Sequence, residues 1–290
     1  MFMATLLTHP DRPILERMTV ESLRNAWGGG DAVWLDPGVA AEFPLEAVPA
    51  NQWEVWEAMQ ALRVDLILQP VEGRRKRLLL ADMDCTMIEQ ECIDELADEA
   101  GVGAHVADIT KRAMNGEIDF EAALKERVGL LKGLPASTVD HVLHDRITLM
   151  SGGPTLLATM KANGAHSALV SGGFTAFTAR MAAVLGFDEN RANTLLVEDG
   201  KLTGEVALPI LGKEAKVQAL QQIAARLGMT PADAIAVGDG ANDLAMLELA
   251  GTGVALHAKP MVAAQCRVRV NHGDLTALLY LQGYAREQFV

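Results

Sequence analysis

The stretch Leu78-Leu79-Leu80-Ala81-Asp82-Met83-Asp84-Cys85-Thr86 decides the fold. Four consecutive apolar residues that run straight into two carboxylates read as a strand buried on both faces and ending in polar chemistry. Two later stretches repeat the form. Ala165-His166-Ser167-Ala168-Leu169-Val170 leads into Ser171-Gly172-Gly173, and Ala234-Ile235-Ala236-Val237 leads into Gly238-Asp239-Gly240-Ala241-Asn242-Asp243. Each is followed by a helical pattern, so the three together imply an α/β fold with a parallel sheet covered on both faces. Ligands of open α/β sheets bind outside the carboxyl ends of the strands. All three strands end there in Asp, Ser or Gly.

Outward from this frame, residues of about 88–150 read as a helical insertion between the first two strands. Asp119 is placed to cap a helix on which Phe120, Ala123, Leu124, Val128 and Leu131 share one face. Arg127 falls on that same apolar stripe, where a guanidinium needs a partner or a route to water. Leu134-Pro135 marks the end of this helix. Asp199-Gly200 is the expected turn of a hairpin formed by Thr194–Val197 and Leu202–Leu208.

The first seventy residues differ in character and hold Trp27, Trp34, Trp53 and Trp56, all four tryptophans of the chain. Ala4–Thr8 with Leu15–Trp27, and Asp31–Leu35 with Gln52–Leu62 followed by Val64–Leu68, read as strand–helix patterns. The basic run Arg74-Arg75-Lys76-Arg77 is expected to be a solvated junction. The reading is an N-terminal α/β accessory domain over 1–74 and a main body over 75–290.

With 290 residues, half of them hydrophobic and 22% charged, the chain can build a large core. A formal net charge of −13 disfavours nucleic acid as a partner, since duplex binding needs a basic footprint. It leaves room for a small anionic substrate beside a cation. No apolar run is long enough for a bilayer, and no signal-type segment opens the chain. Cys85, Cys92 and Cys266 are odd in number and lack metal-ligand spacing, which suggests reduced thiols in a cytoplasmic protein.

Asp82, Asp84, Asp239 and Asp243 would reach one sheet edge together. Each motif alone also fits a capped strand–turn–helix. Four carboxylates in one place would repel each other without a cation, and oxygen-only ligands suit Mg2+. Ser171-Gly172-Gly173 offers a hydroxyl and backbone N–H groups to phosphate oxygens. Lys216 could neutralise a phosphate charge, with Lys213 as a rival.

In order and type, Asp82-x-Asp84-x-Thr86, Ser171-Gly172-Gly173, Lys216 and Gly238-Asp239-Gly240-x-Asn242-Asp243 resemble the motifs of the haloacid dehalogenase superfamily. The family spacing favours Lys216 over Lys213. Glu91, the segment Phe120 to Pro135 and His257-Ala258-Lys259-Pro260 look most similar to the phosphoserine phosphatases within it. The resemblance covers about 78–279 and stops short of the first seventy residues.

The resemblance implies a Rossmann-like sheet with a small helical cap inserted after the first core strand. It implies Asp82 as nucleophile and Asp84 as general acid and base. Metal ligation falls to the Asp82 carboxylate, the Asp84 backbone carbonyl and Asp239, supported by Asn242 and Asp243. Thr86, Ser171, Gly172 and Lys216 would cradle the phosphoryl group. Glu91 would meet a substrate ammonium and Arg127 a substrate carboxylate, with Met114 and Phe120 as pocket walls. The expected activity is Mg2+-dependent hydrolysis of phosphoserine, the closing step of serine synthesis, with a homodimer as the candidate assembly. The same chemistry on another small phosphorylated alcohol, such as phosphohomoserine, or transfer of phosphate to an alcohol, is the alternative.

Overall fold

The structure, a computed structural model, describes residues 1–290. The N-terminal part comprises β1 (Phe2–Leu7), α1 (Arg17–Trp27), β2 (Val33–Asp36), β3 (Ala40–Leu45), α2 (Gln52–Ala61) and β4 (Asp65–Pro70). Its four strands form an antiparallel sheet in the order β2-β3-β1-β4. The strand β3 falls outside the sequence expectation. Glu42 and Pro44 interrupt its apolar run, yet it pairs with β1 along its whole length.

The main sheet begins with β5 (Leu78–Ala81). Four cap helices follow: α3 (Cys92–Glu99), α4 (Gly103–Met114), α5 (Phe120–Gly129) and α6 (Ser137–Asp145). The chain re-enters the body through α7 (Gly153–Ala162), β6 (His166–Phe174), α8 (Thr175–Leu185) and β7 (Glu189–Asn193). A hairpin of β8 (Leu195–Glu198) and β9 (Lys201–Val206) precedes α9 (Lys213–Arg226) and β10 (Ala234–Gly238). The body closes with α10 (Leu244–Leu249), β11 (Thr252–Leu256), α11 (Pro260–Gln265), β12 (Val268–Val270) and α12 (Ala277–Leu281). The six-stranded sheet runs β12-β11-β10-β5-β6-β7, parallel throughout.

Alternation along the strands shows why their sequences are apolar without a break. Leu79, Ala81, Leu169, Ile235 and Val237 enter one core cluster, and Leu78, Leu80, Ala168, Ala234 and Ala236 enter a second on the opposite face. Side chains point alternately to the two faces, so burial on both removes any polar position. The hairpin turns where expected, with Asp199 at φ 49 and Gly200 at φ 73, the left-handed pair of a two-residue turn. Asp119 caps α5, its carboxylate accepting from Ala122 N at 2.9 Å.

The N-terminal sheet also has two buried faces. Ala4, Leu6, Phe43 and Leu66 pack with Val20 and Leu23 of α1, whereas Leu7, Ala40 and Ile67 join the main core of the body. The basic junction is solvated only in part: Arg75 and Arg77 are exposed as expected, whereas Arg74 and Lys76 are half-buried. Arg74 bonds both oxygens of Glu42 at 2.6 and 2.9 Å in a largely buried pair. Lys76 donates to Ala232 O, Arg77 pairs with Asp233, and Arg75 stacks on Tyr284. No helix is long and apolar enough to cross a membrane.

Candidate active site

The carboxyl ends of β5, β6 and β10 are adjacent in the sheet, and the helical cap covers them. A pocket of about 30 Å³ lies between, lined by Asp82, Asp84, Glu91, Met114, Phe120, Arg127, Ser171, Gly172, Asp239 and Asn242. That volume holds a water or two, so the cap packs closely over the strand ends. Thr86, Lys216 and Asp243, also singled out in the sequence, sit behind this lining, all buried. The residues picked from stretches far apart in the chain meet in one place.

Asp82 follows β5, its backbone N–H still bonded to Val237 O across the sheet. Its Oδ1 accepts from Met83 N at 2.8 Å and lies 2.7 Å from Lys216 Nζ. No hydrogen bond from the chain reaches Oδ2, so one oxygen is held and the other is free. Lys216, on the first turn of α9, also donates to Asp243 Oδ1 at 2.6 Å. It is buried, whereas the Lys213 side chain is mostly exposed, which places Lys216 and not its rival at the site.

Asp84 points the other way. Its Oδ1 accepts from Cys92 N at 2.9 Å, and its Oδ2 accepts from Ser171 Oγ at 3.1 Å. The Ser171 hydroxyl in turn accepts from Gly173 N at 2.8 Å. A Cβ on Gly172 would stand 2.6 Å from the Phe120 ring, so the cap can rest on this loop only if the residue is glycine. Asn193 fixes the same loop, donating to Gly172 O at 2.8 Å and accepting from Leu211 N at 2.7 Å. The cap touches the opposite loop too, Ala241 N donating to Met114 O at 3.1 Å.

The electrostatics call for a cation. Carboxylate oxygens of Asp82, Asp239 and Asp243 lie within 4.8 Å of one another, all three residues buried. Burial, then the charge of Asp243, pushes the Asp82 carboxyl well up, and Lys216 offsets this only in part. Asp239 is pushed up to about 6 by burial and by Asp243. For Lys216 the lowering effect of burial is outweighed by Asp243 and Asp82, and its ammonium is held more tightly than usual. Asn242 Oδ1 is buried without a partner, and Asp239 Oδ2 faces Lys259 Nζ at 3.2 Å without hydrogen-bond geometry. Orphaned oxygens beside clustered carboxylates suit a hard divalent cation. The Asp84 carboxylate is not part of this cluster, since both its oxygens are engaged elsewhere.

Glu91 and Arg127 face the pocket from the cap. The Glu91 carboxyl is pushed well up by burial, then by Asp84, and its sole hydrogen bond is from Cys85 Sγ at 3.8 Å. Arg127 is 2% exposed, and no carboxylate of the chain comes within 4.0 Å of its nitrogens. Three residues near the site were not assigned a place from sequence: Lys259, Thr110 and Asn193. Lys259 lies inside a stretch that had drawn notice, but Thr110 and Asn193 carry no sequence signal of their own.

The parallel sheet, inserted cap and acidic strand ends define a hydrolase class, and the chain belongs to the haloacid dehalogenase-like hydrolases, whose family model matches residues 79–248. Phosphoserine phosphatase from Haemophilus influenzae is 48% identical over 204 residues, 70% of this chain and 65% of that protein. The chain thus spans just under two thirds of that relative's length. Its fold matches a HAD family hydrolase from Salmonella enterica serovar Typhi at a TM-score of 0.85 and 33% identity, over 97% of this chain and 98% of that one. The N-terminal sheet is therefore shared with that protein. A substrate-bound phosphoserine phosphatase complex matches at a TM-score of 0.68 and 41% identity, over 71% of this chain and 97% of that one.

Proposed function

We propose that this chain is a Mg2+-dependent phosphatase that hydrolyses O-phospho-L-serine to serine and phosphate in the cytoplasm. One observation carries the choice of substrate. A buried guanidinium with no carboxylate within 4.0 Å and a half-buried carboxylate with no cation within 4.0 Å line the same small pocket. Each is costly to bury alone, because an unpaired interior charge loses its hydration without compensation. A ligand bearing both an ammonium and a carboxylate beside its phosphate relieves both at once. The relatives named above support the same reading.

In this mechanism Asp82 Oδ2, the oxygen left free by the hydrogen bonds to Oδ1, attacks phosphorus. The new Asp82–phosphorus bond forms as the bond to the serine oxygen breaks, and Asp84 gives its proton to the departing oxygen. Asp84 then takes a proton from water, which attacks the aspartyl phosphate and regenerates Asp82. Ser171, the Gly172 backbone, Thr86 and Lys216 hold the phosphoryl oxygens, where placed positive charge matters most. The Asp82 carboxylate, the Asp84 backbone carbonyl and Asp239 would hold Mg2+, with Asn242 and Asp243 in support. Its chemistry there is to offset charge on the transferring group.

The test is phosphate release by purified protein from a panel of phosphorylated metabolites, with Mg2+ and with chelator. Phosphoserine should be preferred, Asp82→Asn should abolish turnover, and Asp84→Asn should slow it about a hundredfold or more. Unchanged activity in Asp82→Asn would discard the mechanism. A preference for a phosphate ester without a carboxylate would discard the substrate.

A further inference from the structure

Three cap helices meet at Arg127, and their contacts there are unusual. The Nε of Arg127 donates back to Ala123 O at 3.1 Å, one turn earlier on α5. Its Nη1 donates to Thr110 Oγ1 on α4 at 3.0 Å. That hydroxyl spends its own proton on Asp94 Oδ1 of α3, at 2.6 Å. Thr110 is 3% exposed, so its bond to Arg127 lies away from bulk water. Two edges of the guanidinium are fixed, and Nη2 makes no hydrogen bond within the chain.

The order of these groups matters. Asp94 is the carboxylate that reaches this chain of bonds, yet it stays beyond 4.0 Å from the Arg127 nitrogens, with the Thr110 hydroxyl interposed. A direct Asp94–Arg127 pair would anchor the guanidinium but would also neutralise it, leaving less charge for a ligand. The hydroxyl supplies the anchor without the neutralisation. Because its proton points at Asp94, it can only accept from Arg127, which fixes the direction of both bonds.

We propose that Thr110, oriented by Asp94, is a positioning residue for specificity: it aims the unpaired Nη2 of Arg127 at the substrate's carboxylate. This rests on the phosphoserine reading and deepens it. Thr110 touches no substrate and takes no part in phosphoryl transfer. Its effect is confined to ligands that have a carboxylate to be met.

The experiment compares phosphoserine with phosphoethanolamine, which keeps the phosphate and ammonium and lacks the carboxylate. Arg127→Ala sets the largest loss of preference that this contact can give. Thr110→Val, nearly the same shape without the hydroxyl, should raise KM for phosphoserine about tenfold, in line with the loss of a hydrogen bond to a charged group. Its kcat/KM for phosphoethanolamine should change by less than about twofold. Thr110→Ser, which restores the hydroxyl, should restore the preference. The ratio of the two substrates within one preparation is insensitive to the fraction of molecules that fold. If Thr110→Val keeps the wild-type ratio, or loses both activities equally, the positioning role is wrong while the substrate reading stands. If the wild type itself does not discriminate between the two substrates, both fall together.

Discussion

Lys216 Nζ lies 2.6 Å from Asp243 Oδ1 and reaches Asp82 Oδ1 with the same ammonium, so a single buried cation joins two acidic strand ends. Removing it leaves carboxylates that repel each other in a water-poor site. Breaking a buried charge cluster by deleting one partner costs about 3–5 kcal/mol. Lys216→Met is expected to lose that much stability in metal-free protein, read from urea unfolding at fixed pH. A change below about 1 kcal/mol would show that Asp82 and Asp243 are neutral or solvated in the folded state.

Magnesium should restore part of what the acidic cluster gives up. A ligand that binds only the folded state adds about 2.7 kcal/mol at a hundredfold excess over its Kd. The metal-free protein is therefore expected to melt lower than the Mg2+-loaded one, and Asp239→Asn should shrink that difference. The variant also removes a carboxyl held up near 6 by burial and by Asp243, so its metal-free form should melt no lower than the wild type. An equal Mg2+ response in both proteins, by calorimetry, would move the metal away from Asp239.

Much of this site was legible in sequence because its chemistry sits at strand ends, where pattern and function coincide. Arg127 stood out as a charge on an apolar stripe, and the structure keeps it buried. What holds it was not legible: a threonine in mid-helix has no pattern that marks it as the neighbour of an arginine seventeen positions later. Choosing Lys216 over Lys213 needed the family spacing, since both fit the start of one helix. The strand Ala40–Leu45 was missed because Glu42 breaks its apolar run. Its buried charge is paired with Arg74, which lies two elements further along the chain. Local sequence cannot show a partner that distant.

Gly172 and Phe120 make a prediction about cap closure. A methyl at position 172 would sit 2.6 Å from one ring carbon and 3.1 Å from another. Gly172→Ala should therefore hold the cap away from the sheet and lower kcat/KM, with a stability loss of about 1–3 kcal/mol from overpacking. In a Phe120→Ala background the same change should have little further effect. A coupling energy of at least about 1 kcal/mol between the two sites is the expected readout of a double-mutant cycle. Additive losses would place the clash elsewhere.

The N-terminal sheet bears on whether the main body can stand alone. The Asp65 carboxylate, fully buried, accepts from three successive backbone N–H groups at Asn271, His272 and Gly273, at 2.9, 2.9 and 2.8 Å. The Gly273 carbonyl then bonds His257 Nε2 at 2.8 Å, on the loop whose Lys259 faces Asp239. Gln69 donates to Leu281 O at 2.6 Å, and Tyr280 donates to Asp36 at 2.7 Å. Deleting residues 1–74 would strip these partners from groups that are buried in the body, and would expose the core face that Leu7, Ala40 and Ile67 cover. The truncated protein is expected to be aggregation-prone and inactive, and the full chain should unfold in one cooperative transition with tryptophan fluorescence and far-UV dichroism coincident. Asp65→Asn probes the same junction without deletion. Each charged hydrogen bond contributes about 1.5–3 kcal/mol, so losing the charge should cost several kcal/mol and speed amide exchange at 271–273. A soluble, fully active body lacking residues 1–74 would make the sheet an appendage, and the Asp65 bonds incidental to catalysis.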